Sequence, residues 1–384
     1  MGSDCIRIGL VGVAHRAAMA ENWDKDSRAK IVAGADTSWA FIDQFRKKYA
    51  HNTPTVTNDW RKLVERDDID IVGVFTPDYL HAEPTIAALD AGKHVYCEKP
   101  MAIKTADCDA MLRAWKRSGK HLMVGMNMRY MDAFLAFKEV IDSGQLGEVK
   151  AVWVRHFVGF GGFAYFHDYR ANADMATGLL LQKASHDIDM IHFLTGRFTK
   201  RVVAMGALDY FGGDKPDDLV CEECDEKDTC TDFSTRERKT QCCFRKGIDV
   251  EDHSMLLMDL GDVRANYVQC HYATETTRNY LVIGGDGMAE LTGNKITVKT
   301  QKANNTKARA RARFATATYD VGPAKGGHGG ADPEICRAFL DLIIDGKQPH
   351  VSPEAGRMAV AVGCAATESI RGGNKPMNIS PPQV

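Results

Sequence analysis

Strands and helices alternate through the first third of this chain, and that alternation constrains its fold more than any other feature. Short apolar runs recur at Ile6–Val11, Lys30–Ala35, Ile69–Phe75, His94–Cys97 and Leu122–Gly125. Helical spacing fills the intervals: Phe41, Phe45 and Tyr49 recur every four residues, Asn58-Asp59-Trp60 opens a further helix, and His81–Ala91 and Thr105–Ser118 complete the set. Continuously apolar strands separated by helices of about a dozen residues predict a parallel, doubly wound α/β sheet.

After Asn127 the texture changes. A helix through Phe134–Ile141, a strand at Val149–Phe157, a Gly- and aromatic-rich loop at Gly159–Tyr169 and a helix at Gly178–Leu194 precede a run of strands. These are Arg201–Met205, Ser254–Leu260, Arg264–Tyr272, Asn279–Gly284 and Lys295–Thr300. Strands grouped after helices predict an α+β domain with a large, mostly antiparallel open sheet. A chain of 384 residues can bury two cores. The expected division is a dinucleotide-binding domain at 1–126 and a substrate-binding, oligomerising domain at 127–384, with a Cys-rich loop at 219–246 and a last helix over about 353–371. Ser352 caps that helix and Pro353 occupies its first turn.

Bulk properties exclude several classes. A net charge of -2 argues against nucleic acid or an anionic membrane as partner. No apolar run approaches the roughly 20 residues of a bilayer span. Met1–Ile6 has neither a signal-peptide pattern nor a myristoylation motif, so a cytoplasmic location is expected.

The turn after the first strand, Gly12-Val13-Ala14-His15-Arg16-Ala17, is a degenerate dinucleotide fingerprint. Gly12 permits the tight turn, Ala14 lets backbone approach a pyrophosphate, and Ala17 allows close helix packing. Backbone amides at the helix start would take the phosphates. Read alone, it is equally a tight strand–helix connection. Asp36, followed by Thr37, closes the second strand roughly 20 residues on, where a carboxylate accepts the ribose hydroxyls of NAD and repels the 2′-phosphate of NADP. Its alternative reading is an ordinary helix cap.

Downstream, Glu98-Lys99-Pro100 stands at the carboxyl end of a parallel strand, where open α/β sheets bind ligands. Oxidising an alcohol needs a group that takes the hydroxyl proton as hydride leaves for a nicotinamide. Lys99 is the candidate, and its alternative is a surface Lys in a tight turn. Gly9–Ala17, Thr76-Pro77-Asp78-Tyr79-Leu80-His81, Glu98-Lys99-Pro100 and the helix Gly178–Asp189 with Ser185-His186-Asp187-Ile188-Asp189 carry a resemblance to the Gfo/Idh/MocA (glucose-fructose oxidoreductase / inositol dehydrogenase-like) family over essentially the whole chain.

The resemblance implies a Rossmann domain, a second domain whose open sheet mediates homodimers or homotetramers, bound NAD and a sugar or cyclitol substrate. It also implies that Lys99 touches the reacting hydroxyl, that His186 supports proton transfer, and that Thr76, Pro77, His81 and Glu98, joined by Asn127, line the cofactor. The Lys99–Pro100 bond is expected to be cis. Relatives commonly place an Asp four residues before the His. Here Gln182 stands there, followed by Lys183. Gln182 can orient a hydroxyl but not accept its proton, and Lys183 is either a second pocket ammonium or a surface residue. Arg129, Tyr130, Tyr165, Arg170 and His328 are further substrate-contact candidates, and several cations would suit an anionic sugar.

Two features stand apart. Cys221, Cys224, Cys230, Cys242 and Cys243 supply enough thiolates for a structural zinc, for which Cys221, Cys224, Cys230 and Cys243 are the candidate ligands; free thiols are the other reading. Lys307, Arg309, Arg311 and Arg313 alternate with period two, as on a solvated sheet edge. The leading functional expectation is an NAD-dependent dehydrogenase of a sugar, glycoside or cyclitol hydroxyl. One rival is a glycosidase that retains NAD and works by transient C3 oxidation, elimination, water addition and re-reduction, with Lys183, Tyr165 or His167 as extra base. Another is a non-catalytic dinucleotide-binding regulatory protein.

Overall fold

The computed structural model describes residues 5–236, 239–301, 314–323 and 327–383. The alternating cations at 307–313 lie outside the described residues. Two compact units form, and neither follows the chain's linear order. The first comprises Met1–Asp132, Ala324–Val360 and Pro381–Val384; the second comprises Ala133–Pro323 and Ala361–Ser380. The first unit thus extends beyond 1–126 to include a late segment around the helix Ala331–Asp345.

In the first unit, β1 (Ile6–Val11), β2 (Ala29–Ala35), β3 (Thr55–Thr57), β4 (Ile71–Val74), β5 (His94–Cys97) and β6 (Leu122–Val124) make a parallel sheet ordered β3-β2-β1-β4-β5-β6. Every residue of β4 and β6 is buried, as covering a parallel sheet on both faces requires. The strand order reverses beside β1, and the crevice at such a switch point is where this topology binds nucleotides. Trp23 anchors the core: its ring meets those of Phe75, Tyr96 and Phe339, and its Nε1 donates to the Cys336 carbonyl at 3.0 Å. The helix Thr105–Ser118 stops at Gly119, whose φ of +64° is a left-handed cap.

In the second unit, β7 (Val149–Phe157), β8 (Arg201–Ala207), β9 (His253–Asp259), β10 (Arg264–Cys270), β11 (Thr277–Gly284), β12 (Gly287–Thr292), β13 (Lys295–Gln301), β14 (Phe314–Asp320) and β15 (Met377–Asn378) form a sheet ordered β14-β13-β12-β11-β7-β10-β9-β8-β15. It is antiparallel except where β10 pairs with β7. Burial alternates along β9, with Ser254, Leu256 and Met258 inward and Met255 and Leu257 outward, so one face is packed and one open. The segment read from sequence as one helix over Gly178–Leu194 is two, Leu179–Gln182 and Ser185–Thr195. The Leu179 carbonyl accepts from Lys183 N–H and also from Ala184 N–H five residues on, each at 3.0 Å. That wider turn interrupts the i→i−4 ladder, a device frequent at functional sites. The last helix is Pro353–Arg371, and Ser352 Oγ accepts the Ala355 N–H at 3.2 Å as the sequence leads one to expect. No helix among the described residues is long and apolar enough to cross a membrane.

Candidate active site

The first unit gathers the residues expected to hold a dinucleotide. Gly12 follows β1 with φ of +82°, and a Cβ there would lie 2.8 Å from the Phe75 carbonyl and 2.9 Å from Thr76 N. Only glycine lets these two turns approach so closely. Asp36 Oδ2 accepts the Val13 N–H at 3.0 Å and its Oδ1 accepts the Ser38 N–H at 2.9 Å, so the carboxylate ties the end of β2 to the first turn. Thr76 Oγ1 and Asn127 Oδ1 are buried without a hydrogen-bond partner. A glycine-only cradle at the switch point, a carboxylate at the end of β2 and two unused buried acceptors fit a dinucleotide. His15 and Thr37 are exposed, Val13, Ala14 and Pro77 partly buried. His15 stands edge-on to Phe41 at 5.6 Å.

Arg16 is committed elsewhere. Its Nε donates to Glu98 Oε1 at 2.7 Å, and its fork holds both Asp332 oxygens at 2.9 and 3.0 Å. Asn127 Nδ2 donates to Asp332 Oδ1 at 3.2 Å, and His328 Nδ1 stands 2.8 Å from Oδ2. Burial pushes the Asp332 carboxyl up, but His328 and Arg16 outweigh it and hold the group well below the usual carboxylate range. Arg16 therefore fixes Glu98, and Glu98 Oε2 accepts the Lys99 N–H at 3.0 Å. The Lys99–Pro100 peptide is cis. Nothing in the sequence announced Asp332, which lies 316 positions from Arg16.

His81, buried, places Nδ1 2.7 Å from the Pro100 carbonyl and Nε2 2.9 Å from the Thr76 carbonyl. Two acceptors at both ring nitrogens require both to carry protons. Burial alone pushes its pKa down, yet Cys97, Asp78 and the Pro100 carbonyl raise it to about 9. His81 is thus a cationic clamp between the two turns that follow β4 and β5. Arg129 Nη1 donates to the His350 carbonyl at 2.5 Å and Tyr130 Oη accepts the His350 N–H at 3.1 Å, so both expected substrate contacts are engaged on the backbone at His350.

The second unit holds Tyr165, Arg170, Gln182, Lys183 and His186. His186 opens the helix Ser185–Thr195 and is buried, as is Gln182. Next to it, fully buried Asp187 accepts both arms of Arg278 at 2.8 and 2.7 Å, the Tyr280 hydroxyl, and His156 Nδ1 at 3.2 Å. Burial pushes this carboxyl up, but Arg278 and His156 hold it well below the ordinary range. Burial with Arg278 lowers His156 to about 4, so the imidazole is neutral and donates. The hub locks the first turn of the helix that presents His186. Arg170 pairs with Asp168 across two residues.

The loop cysteines follow the free-thiol reading. Cys221, Cys224, Cys230, Cys242 and Cys243 line one small cavity and are free thiols. Cys243 packs in an apolar cluster with Phe166, Phe211 and Val250. Burial raises the Cys221, Cys242 and Cys243 thiols. Among the described residues no group of three or more His, Cys, Asp or Glu side chains is placed to hold a metal ion.

The chain thus has one unit with a crevice at the switch point of a doubly wound sheet and a second unit built on a large open sheet. The family model "Oxidoreductase family, NAD-binding Rossmann fold" matches residues 6–126, and "Oxidoreductase family, C-terminal alpha/beta domain" matches 138–379. The chain belongs to the Gfo/Idh/MocA family. It is 34% identical over 193 residues to 1-carboxy-3-chloro-3,4-dihydroxycyclohexa-1,5-diene dehydrogenase of Comamonas testosteroni, covering 49% of this chain and 47% of that protein. It is 31% identical over 208 residues to levoglucosan dehydrogenase of Pseudarthrobacter phenanthrenivorans, covering 50% of each. The chain spans about half the length of these curated relatives. A solved levoglucosan dehydrogenase with NADH and levoglucosan shares the fold at a TM-score of 0.76 and 21% identity, over 99% of this chain and 100% of that one.

Proposed function

We propose that this chain is an NAD-dependent oxidoreductase acting on a secondary hydroxyl of a sugar, glycoside or cyclitol. One observation carries the reading. The glycine-only turn at the switch point lies in one unit with the Glu98-anchored Lys99 turn, which His81 clamps to the Thr76 turn. Relatives named for inositol, levoglucosan and a carboxylated cyclic diol support the substrate class.

Gly12, Val13 and Ala14 would receive the pyrophosphate and Asp36 the ribose hydroxyls, which favours NAD over NADP. Bound NAD supplies the hydride acceptor. Lys99 takes the hydroxyl proton, His186 supports that transfer, and Gln182 orients the hydroxyl without accepting its proton. The open sheet face, where Trp153, Met205, Met255 and Leu257 are exposed, is the surface on which we expect a second copy to sit.

The test is NADH formation with NAD and a panel of sugars, cyclitols and aryl glycosides, followed alongside released aglycone. NADH rising with substrate loss is expected, and Lys99→Ala should lower kcat by about 10²- to 10⁴-fold. Aglycone release on catalytic NAD without NADH would replace this reading by the redox-neutral glycosidase. An unaffected Lys99→Ala protein would point to a regulatory role.

A further inference from the structure

The second unit contains an ammonium with no anion. Lys183 sits at the helix break after Gln182, partly buried, and among the described residues it has neither a hydrogen-bond nor an ion-pair partner. Its contact is with an aromatic face: Nζ lies 5.8 Å from the Tyr165 ring centroid. Asp187, four positions on, is the natural internal partner, but its oxygens are taken by Arg278, Tyr280 and His156. The remaining titratable groups facing Lys183 are Arg278, His156 and His271, and none of these is an anion.

A second unused group stands on the same ring. His271 is fully buried, and neither ring nitrogen has a hydrogen-bond partner. Its ring is edge-on to Tyr165 at 5.0 Å. Burial holds it neutral, so one N–H donor and one lone pair are unspent. Buried polar groups are rarely left so. The Gly-rich loop explains the placement: a Cβ on Gly161 would lie 1.8 Å from the His271 carbonyl, so only glycine lets the loop press here and lay Tyr165 against His271.

We propose that Lys183 and His271, arranged around Tyr165, form a subsite for a carboxylate substituent of the sugar or cyclitol substrate. The ammonium supplies the charge and the imidazole N–H a hydrogen bond. This rests on the oxidoreductase reading for the identity of the ligand's hydroxylated ring, but not for the subsite itself. Burial and Arg278 lower the Lys183 pKa to about 8. The ammonium therefore prevails at neutral pH, and carboxylate affinity falls as pH climbs past that value.

The test is calorimetric titration of the full chain saturated with NAD. D-glucuronate is compared with D-glucose, and D-galacturonate with D-galactose, at about pH 6.5 and about pH 9.5, either side of the lysine. At the lower pH at least one uronate should bind about 10- to 100-fold more tightly than its neutral sugar, the worth of a charge-assisted hydrogen bond. Lys183→Met should erase the preference, Lys183→Arg should retain it, and the higher pH should weaken it in the unmodified protein. The pH series stands even if the Met variant does not fold. Absence of uronate binding, equal affinity within both pairs, or a preference that survives Lys183→Met or the higher pH would overturn the subsite. NADH absorbance on the same sugars separates the two ideas. A uronate preference without NADH from any substrate sinks the oxidoreductase reading alone, and NADH from neutral sugars without a uronate preference sinks the subsite alone.

Discussion

The two units solve the same electrostatic problem with different amounts of water. Each fixes a carboxylate with a two-pronged arginine: Asp332 by Arg16 in the first, Asp187 by Arg278 in the second. The difference lies in the remaining partners. Asp332 is completed by Asn127 and by His328, whose side chain is 54% exposed. Asp187 is 0% exposed and is completed by buried Tyr280 and His156. Both carboxylates are buried, but the His328 imidazole on Asp332 reaches solvent, whereas Tyr280 and His156 on Asp187 do not. The first suits a crevice that must admit a charged cofactor, and the second suits a hub that holds a helix start rigid.

Removal of each carboxylate should separate them. Asp187→Ala leaves partly buried Arg278 without its carboxylate and buried Tyr280 and His156 without their acceptor, with an expected loss of about 3–5 kcal/mol in denaturant unfolding. Asp332→Ala leaves Arg16 with Glu98 and partial access to water, so about 1–3 kcal/mol is expected. Equal losses would mean that exposure of His328 does not matter and that the contrast is wrong. Both carboxyls are held below their unfolded value of about 3.9, so their stabilisation is present above that pH and fades as pH falls through the folded values.

His81 sharpens the comparison by running the opposite way. Its pKa of about 9 exceeds the unfolded value of about 6.5, so its contribution is complete below the latter and lost as pH rises through the former. The smallest effect is expected here, on the order of 1 kcal/mol, as one charge-assisted hydrogen bond to a carbonyl is lost. Unfolding midpoints measured through the alkaline range should decline in the unmodified protein and stay level in His81→Gln. A level profile in both would remove the cationic clamp.

Local pattern made much of this molecule readable in advance. The parallel strands are unbroken apolar runs, and Gly12, Asp36 and Lys99 sit at positions fixed by strand ends. β3, β12 and β14 escaped notice because Thr, Ala and Gly dilute their apolar signal. The break at Lys183 is equally silent, since no Pro or Gly marks it; it shows only in which carbonyl Ala184 reaches. The partners of the polar centres are the least legible. Asp332 meets Arg16 across 316 positions and Arg278 meets Asp187 across 91, and periodicity carries no information over such separations. Three expected contacts, Arg16, Arg129 and Tyr130, are engaged with distant protein groups for the same reason, and Arg170 is engaged with Asp168 two positions away.

The late segment that completes the first unit bears on how the gene could be cut. A fragment ending at residue 126 would carry every cofactor-turn residue from Gly12 to Lys99, yet it would leave Trp23 Nε1 without the Cys336 carbonyl and Arg16 without Asp332. Both losses fall in the interior, one in the aromatic core and one behind Lys99. A nucleotide-binding half grafted onto another protein would therefore have to bring the helix Ala331–Asp345 with it. On the ribosome, likewise, the crevice cannot be finished until nearly the whole chain has emerged.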